Sequence, residues 1–267
     1  MNLTKHDVLC LDILGSIPNK RSKHCFRSAI NHLELGEKLL PIDKPMGVFR
    51  LLTAEEEAAS GLMFCLKDHG YMKANRLNPR DHNHKVSVIE LFRIIKRFIV
   101  DEIASRGIDI DIVTLQEQDE IRLALNIVLP GEDKEQRPKI RPYPPLCFNF
   151  SGQEINMDYK KQIESLLAER GIEDIKKYVK CQANRRNQLL YASNEGYPAN
   201  IEIEDKFYPA QKNRVFAMLN TYLLIEPYSG NSQFVQDSLN AYLNIFTKIG
   251  LKKSLWECIK NCFFKKK

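Results

Sequence analysis

Polar and apolar positions along this chain follow two rhythms, helical over most of its length and alternating in one central stretch. From Lys20 to Leu40, residues Phe26, Ala29, Ile30, Leu33, Leu39 and Leu40 recur at near-helical spacing, and Pro41 ends the run. From Pro45 to His69, residues Val48, Leu51, Leu52, Ala58, Ala59, Leu62, Met63 and Leu66 make the face of a second helix that Gly70 closes. The link between the two is short, so the second helix is expected to return antiparallel to the first. A third helix is predicted over Leu77 to Val100, with Asn78 as its cap, Pro79 at the first helical position and Asp81 in the first turn. Its stripe is Val88, Leu91, Phe92, Ile95, Phe98 and Ile99.

The rhythm then changes. Ile108 to Leu115 and Ile121 to Leu129 alternate and are rich in β-branched residues, which predicts two paired strands. Three prolines in the segment from Lys139 to Gly152 predict an edge or a crossing loop, with a further strand over Leu146 to Phe150. Helical spacing resumes at Met157, where Ile163, Leu166 and Leu167 precede Gly171. It continues over Glu173 to Ser193, with Ile175, Val179, Ala183, Arg186 and Leu190 in one stripe, and over Gln211 to Ile225 and Ser232 to Ile249. The expected fold is therefore a single mainly α bundle spanning residues 1–267, with a small antiparallel β insertion at about 108–152 and a basic amphipathic tail at 251–267.

Composition narrows this picture only slightly. The formal charge of +6 permits a polyanionic partner without requiring one. Seven cysteines, an odd number without a Cys-x-x-Cys pair, suggest neither a disulfide framework nor a zinc ribbon, and point to a reducing, cytoplasmic setting. Charges interrupt the apolar run near the N-terminus, so neither a signal peptide nor a spanning segment is expected there. The tail reads as a last helix packed on the bundle with solvated lysines, rather than as a membrane anchor.

Candidate chemistry gathers at the start of the third helix. Projecting the helix backwards puts Arg80, Asp81 and His84 in line with the apolar stripe and turns His82 away from it. A histidine titrating near neutrality can take the proton of a ribose 2′-hydroxyl while an adjacent guanidinium holds the phosphate. Arg80 with His84, and Arg76 with His82, are the two candidate pairs. The letters His82-Asn83-His84 also spell a metal-nuclease motif, but residues i and i+2 of one helix diverge by about 200°, so no metal ion and no cofactor are expected there. With Leu62 as zero, Glu55 falls at about 20°, inside the stripe of the second helix, whereas Glu57 falls near 220°. A buried carboxylate needs a cation, and Arg186 on an inward face is the expected partner. Arg185, Arg186 and Asn187 are alternatively a phosphate site beside His84.

The segments SAINHLELGEKLL, LLTAEEEAASGL, RDHNHK and RRNQLLYA together resemble HEPN-like helical proteins, closest to their abortive-infection branch of the AbiV type. The resemblance covers mainly residues 24–100 and 172–195. It implies a homodimeric bundle, acting as a metal-independent endoribonuclease or toxin in antiviral defence, with RNA as substrate. It also implies an Arg followed, after four to six residues, by a His; Arg76 to His82 satisfies this spacing, although Leu77 stands where the family usually has a polar residue. Under this reading His84 or His82 is the general acid/base, Arg80 or Arg76 the phosphate clamp, and Glu55 the orienting carboxylate. The other class kept open is a non-catalytic regulatory or interaction subunit with a protein partner, in which the same polar cluster is structural.

Overall fold

In the computed structural model of the chain, residues 1–97, 104–117, 120–131, 137–147, 165, 171–191 and 203–248 are described. The predicted segments Met157 to Gly171 and Leu146 to Phe150 fall largely, and the tail at 251–267 entirely, outside them. The described residues form a mainly helical protein with a small antiparallel sheet of three strands.

The first helix, α1 (Lys5–Ser16), lies in the stretch that its sequence marked only as interrupted by charge. Thr4 and Asp7 start it as a capping box: Asp7 N–H donates to Thr4 Oγ1 at 3.1 Å and Thr4 N–H donates to Asp7 Oδ2 at 2.9 Å. Its other end is held by Lys23, a buried ammonium that donates to the Gly15 carbonyl at 2.8 Å and also to that of Ile17. Cation and exposed helix carbonyls satisfy one another, so this buried charge is tolerated.

The two predicted helices that follow are α2 (Arg21–Leu39) and α3 (Lys44–Asp68), each within a residue or two of expectation. Every residue of the expected α3 face is buried, and burial extends well beyond it to Gly47, Ala54, Glu55, Glu56, Ser60, Gly61 and Cys65. The reason is that α3 packs against four helices: α2, α4 (His82–Arg97), α5 (Ile172–Leu190) and α6 (Phe207–Leu223). Small residues permit the close α2–α3 contact. A Cβ on Gly47 would lie 2.8 Å from the backbone nitrogen and 2.9 Å from the Cα of Leu40, and one on Gly61 would lie 2.7 Å from the Phe26 ring.

The sheet is β1 (Asp109–Glu117), β2 (Glu120–Val128) and β3 (Lys139–Ile140), with β2 central. Strands β1 and β2 pair from Asp109 with Val128 to Glu117 with Glu120, and β3 takes the edge opposite Ile127 and Val128, where the proline-rich segment was expected. Leu123, Leu125 and Ile127 join the same apolar cluster as Phe26, Leu33, Met63, Val179 and Tyr222, so the sheet shares the helical core. The hydroxyl of Tyr228 reinforces this by donating to the Leu123 carbonyl at 2.5 Å. In α5 it is Leu189 that is buried, whereas Leu190, assigned to the stripe, is 37% exposed. The last described helix is α7 (Gln233–Lys248), close to its predicted span.

Gly47→Ala is expected to lower stability by about 1–3 kcal/mol, because the obstructing atoms belong to backbone and cannot rotate away. Urea unfolding monitored by circular dichroism measures this, and an unchanged midpoint would show that α2 and α3 can separate at no cost.

Candidate functional site

The polar residues singled out in the sequence do converge near the start of α4, but in a different arrangement. The helix begins at His82, several residues later than predicted. Asn78 closes a local turn instead of capping: its Oδ1 accepts the N–H of Arg80, two residues on, at 3.0 Å. Asp81 takes the capping role, its carboxylate accepting from Asn83 N–H at 2.8 Å and its carbonyl from Lys85 N–H at 3.1 Å. Backward projection therefore fails for Arg80, which lies in the preceding turn and is exposed. Arg76 is also exposed, on a short 3₁₀ turn (Ala74–Arg76), and its guanidinium donates to Thr247 Oγ1 of α7 at 3.0 Å.

Of the two histidines, one keeps the orientation that helical phase gave it and the other does not. His84 faces inward as expected and is only 8% exposed. Its Nδ1 accepts the Asn78 backbone N–H at 3.3 Å, and its ring lies on Phe246 of α7 with centroids 3.9 Å apart. Its carbonyl accepts from Ser87 and Tyr242, whose hydroxyls lie 2.5 Å from one another. Burial holds the imidazole below its ordinary pKa of 6.5, aided by Lys67 and opposed by Asp81. That is the environment of a neutral histidine that joins α4 to α7.

His82, expected to point away, instead reaches α3. Its Nδ1 lies 2.8 Å from Glu56 Oε2, with the imidazole 44% exposed and the carboxylate side chain 7% exposed. Lys85, on the same face of α4 as His82, brings its ammonium to 3.7 Å from the same oxygen. A buried carboxylate opposite Nδ1 favours the tautomer protonated there, which leaves the lone pair on Nε2. The result is an oriented imidazole with solvent access, the arrangement a proton-transfer group needs.

Glu55 is buried, as its helical phase required, and its partner is Arg214 of α6, with Nε 2.7 Å from Oε2. The expected partner Arg186 lies in α5 together with Arg185 and Asn187, and the side chains of all three fall outside the described residues. Sequence reasoning missed Glu56, Lys85 and Arg214. Lys85 carried a usable signal in its i+3 spacing from His82. Arg214 carried none, because 159 residues separate it from Glu55.

Among the described residues one group has metal-ligand character: Cys65, His69 and Glu226 have donor atoms within 4.8 Å of one another. Comparison with protein-family models, with curated proteins and with solved structures finds no match to this chain.

Arg214→Met should destabilise the fold by a substantial part of the roughly 3–5 kcal/mol seen when a fully buried pair is broken, reduced because the Arg214 side chain is 28% exposed. Adding Glu55→Gln should recover most of the loss, and a double-mutant cycle by chemical unfolding reads the coupling. His84 supplies a second expectation. Its folded pKa lies below 6.5, so the unfolded chain binds the proton first, and stability falls as pH drops through 6.5 towards the folded value. The slope should be at most about 1.4 kcal/mol per pH unit, in a window above that of carboxylate titration, and absent in His84→Gln.

Proposed function

We propose that the chain is an RNA-directed effector of the HEPN-like, abortive-infection kind, cleaving RNA without a catalytic metal and using His82 for proton transfer. The observation that carries this reading is the Glu56–His82 pair, a buried carboxylate orienting a half-exposed imidazole. In this mechanism Nε2 of His82 removes the 2′-hydroxyl proton, the oxygen attacks the adjacent phosphorus, and the 5′-oxygen departs with a proton from a general acid, leaving a 2′,3′-cyclic phosphate. Glu56 stabilises the imidazolium that forms. Arg76 meets the family spacing to His82 and Arg80 is an exposed cation two residues before it, so both are candidates to hold the phosphate. His84, neutral and packed against Phe246, acts in this reading as a positioning residue for α4. A homodimer in the cytoplasm is part of the same proposal.

A second reading has its own support: the Glu55–Arg214 and Glu56–His82 pairs each join two helices, which is what a non-catalytic regulatory subunit with structural polar contacts would require. No described helix is long and apolar enough to cross a membrane, so neither reading invokes one.

The two readings separate in one assay. Purified protein is incubated with a labelled single-stranded RNA, without added divalent ion. His82→Gln keeps a donor for Glu56 but cannot shuttle protons, and is expected to slow cleavage by about 10²–10⁴-fold with little change in melting temperature. Absence of cleavage by the wild type, or equal cleavage by His82→Gln, would overturn the catalytic reading in favour of the structural one.

A further inference from the structure

At the C-terminal end of α3, away from the Glu56–His82 pair at its middle, three side chains meet whose chemistry the proposed reaction does not use. Cys65 and His69 are four residues apart, hence neighbours on one helix face, and His69 is the C-cap of α3, its N–H bonding back to the Cys65 carbonyl at 3.0 Å. Glu226 arrives from the turn after α6, its own N–H anchored on the Tyr222 carbonyl at 2.8 Å. The three donor atoms, one sulfur, one ring nitrogen and one carboxylate oxygen, all lie within 4.8 Å of one another. Cys65 is fully buried, and Glu226 is 7% exposed.

Two of these donors are buried without a hydrogen bond. His69 Nε2 and Glu226 Oε2 face one another as an ion-pair contact at 3.5 Å, but neither atom makes a hydrogen bond among the described residues. That separation exceeds the usual hydrogen-bond range of about 2.7–3.2 Å. It is instead close to the edge of a tetrahedron around zinc: with Zn–N and Zn–O bonds near 2.1 Å, nitrogen and oxygen ligands stand about 3.4 Å apart. Buried polar atoms that face one another without a hydrogen bond leave room for an ion or a water between them. The donor set favours an ion, and thiolate with imidazole selects a borderline or soft divalent metal over calcium or magnesium.

The surroundings support a carboxylate aimed at such an ion. The Lys20 ammonium, at the start of α2, binds Glu226 Oε1 and so fixes the carboxylate with Oε2 turned towards His69. Lys20 and Glu226 also line a cavity of about 240 Å³ bounded by Ile13, Ile17 and Arg122, which gives access to the carboxylate from outside.

We propose that Cys65, His69 and Glu226 bind one zinc-class metal ion, joining the end of α3 to the turn after α6. Three protein ligands leave a fourth position for water or another donor. The site is separate from the Glu56–His82 pair, so a metal here is compatible with a metal-independent cleavage reaction.

The test uses the full chain, stripped with a chelator and titrated with Co²⁺ and then Zn²⁺. The expected result is a thiolate-to-cobalt charge-transfer absorption at one equivalent, bleached by zinc. Cys65→Ser should abolish it, and His69→Gln and Glu226→Gln should each weaken zinc binding by more than the roughly 10–100-fold cost of losing an outer-sphere partner. Anomalous scattering from zinc-loaded wild-type crystals requires no variant, and its peak should fall between the three side chains. The proposal is overturned if the wild type binds neither metal at one equivalent, if the folded variants bind as the wild type does, or if the peak lies elsewhere or density shows only a water.

Discussion

The burial of most of the circumference of α3 is the constraint on which the rest of this structure depends. A helix surrounded by four others can carry charge only where each charge meets a partner, because an uncompensated buried carboxylate costs several kcal/mol. Two adjacent acids, Glu55 and Glu56, sit in its middle and point about 100° apart. One therefore turns to α6 and finds Arg214; the other turns to α4 and finds His82 and Lys85. Each pair fixes which face of a neighbouring helix must look at α3, and so sets geometry as well as offsetting charge.

The start of α4 shows how local hydrogen bonding and tertiary pairing combine. Asn78 spends its side chain on a turn with Arg80, and capping passes to Asp81. The first helical residue is then His82, within reach of Glu56, while His84 is committed to the Asn78 backbone and to Phe246. Two histidines with nearly identical sequence surroundings thus acquire opposite characters. One is desolvated and held neutral; the other is held by a carboxylate and open to solvent. That contrast, rather than the presence of either histidine, supports the proposed proton-transfer role of His82.

A similar economy operates at two neighbouring helix ends. The end of α1 is satisfied by the buried Lys23 ammonium, and the end of α3 presents Cys65 and His69 to Glu226. In each case a helix terminus, where backbone groups lack intrahelical partners, is where side chains from distant elements come together. The proposed metal site and the proposed catalytic pair lie along the same helix, one near its C-terminal end and one at its middle.

What the sequence determined by itself was the set of local elements. The α2, α3 and α7 spans, the β1–β2 pairing and the inward phase of Glu55 and His84 all follow from periodicity, because 3.6-residue and 2-residue repeats report which face is apolar. The first helix was legible in principle from Thr4 and Asp7, a capping signal masked by the surrounding charges. Only the tertiary structure decided the partners. Periodicity gives the direction of a side chain relative to its own axis and says nothing about which helix lies opposite, so it could not choose Arg214 for Glu55, could not bring Glu56 to His82, and could not join Cys65 and His69 to Glu226 across 157 residues of chain. Nor could it see that four helices would cover most of the circumference of α3, which is why Glu56 is as buried as Glu55 while Glu57 stays half-buried.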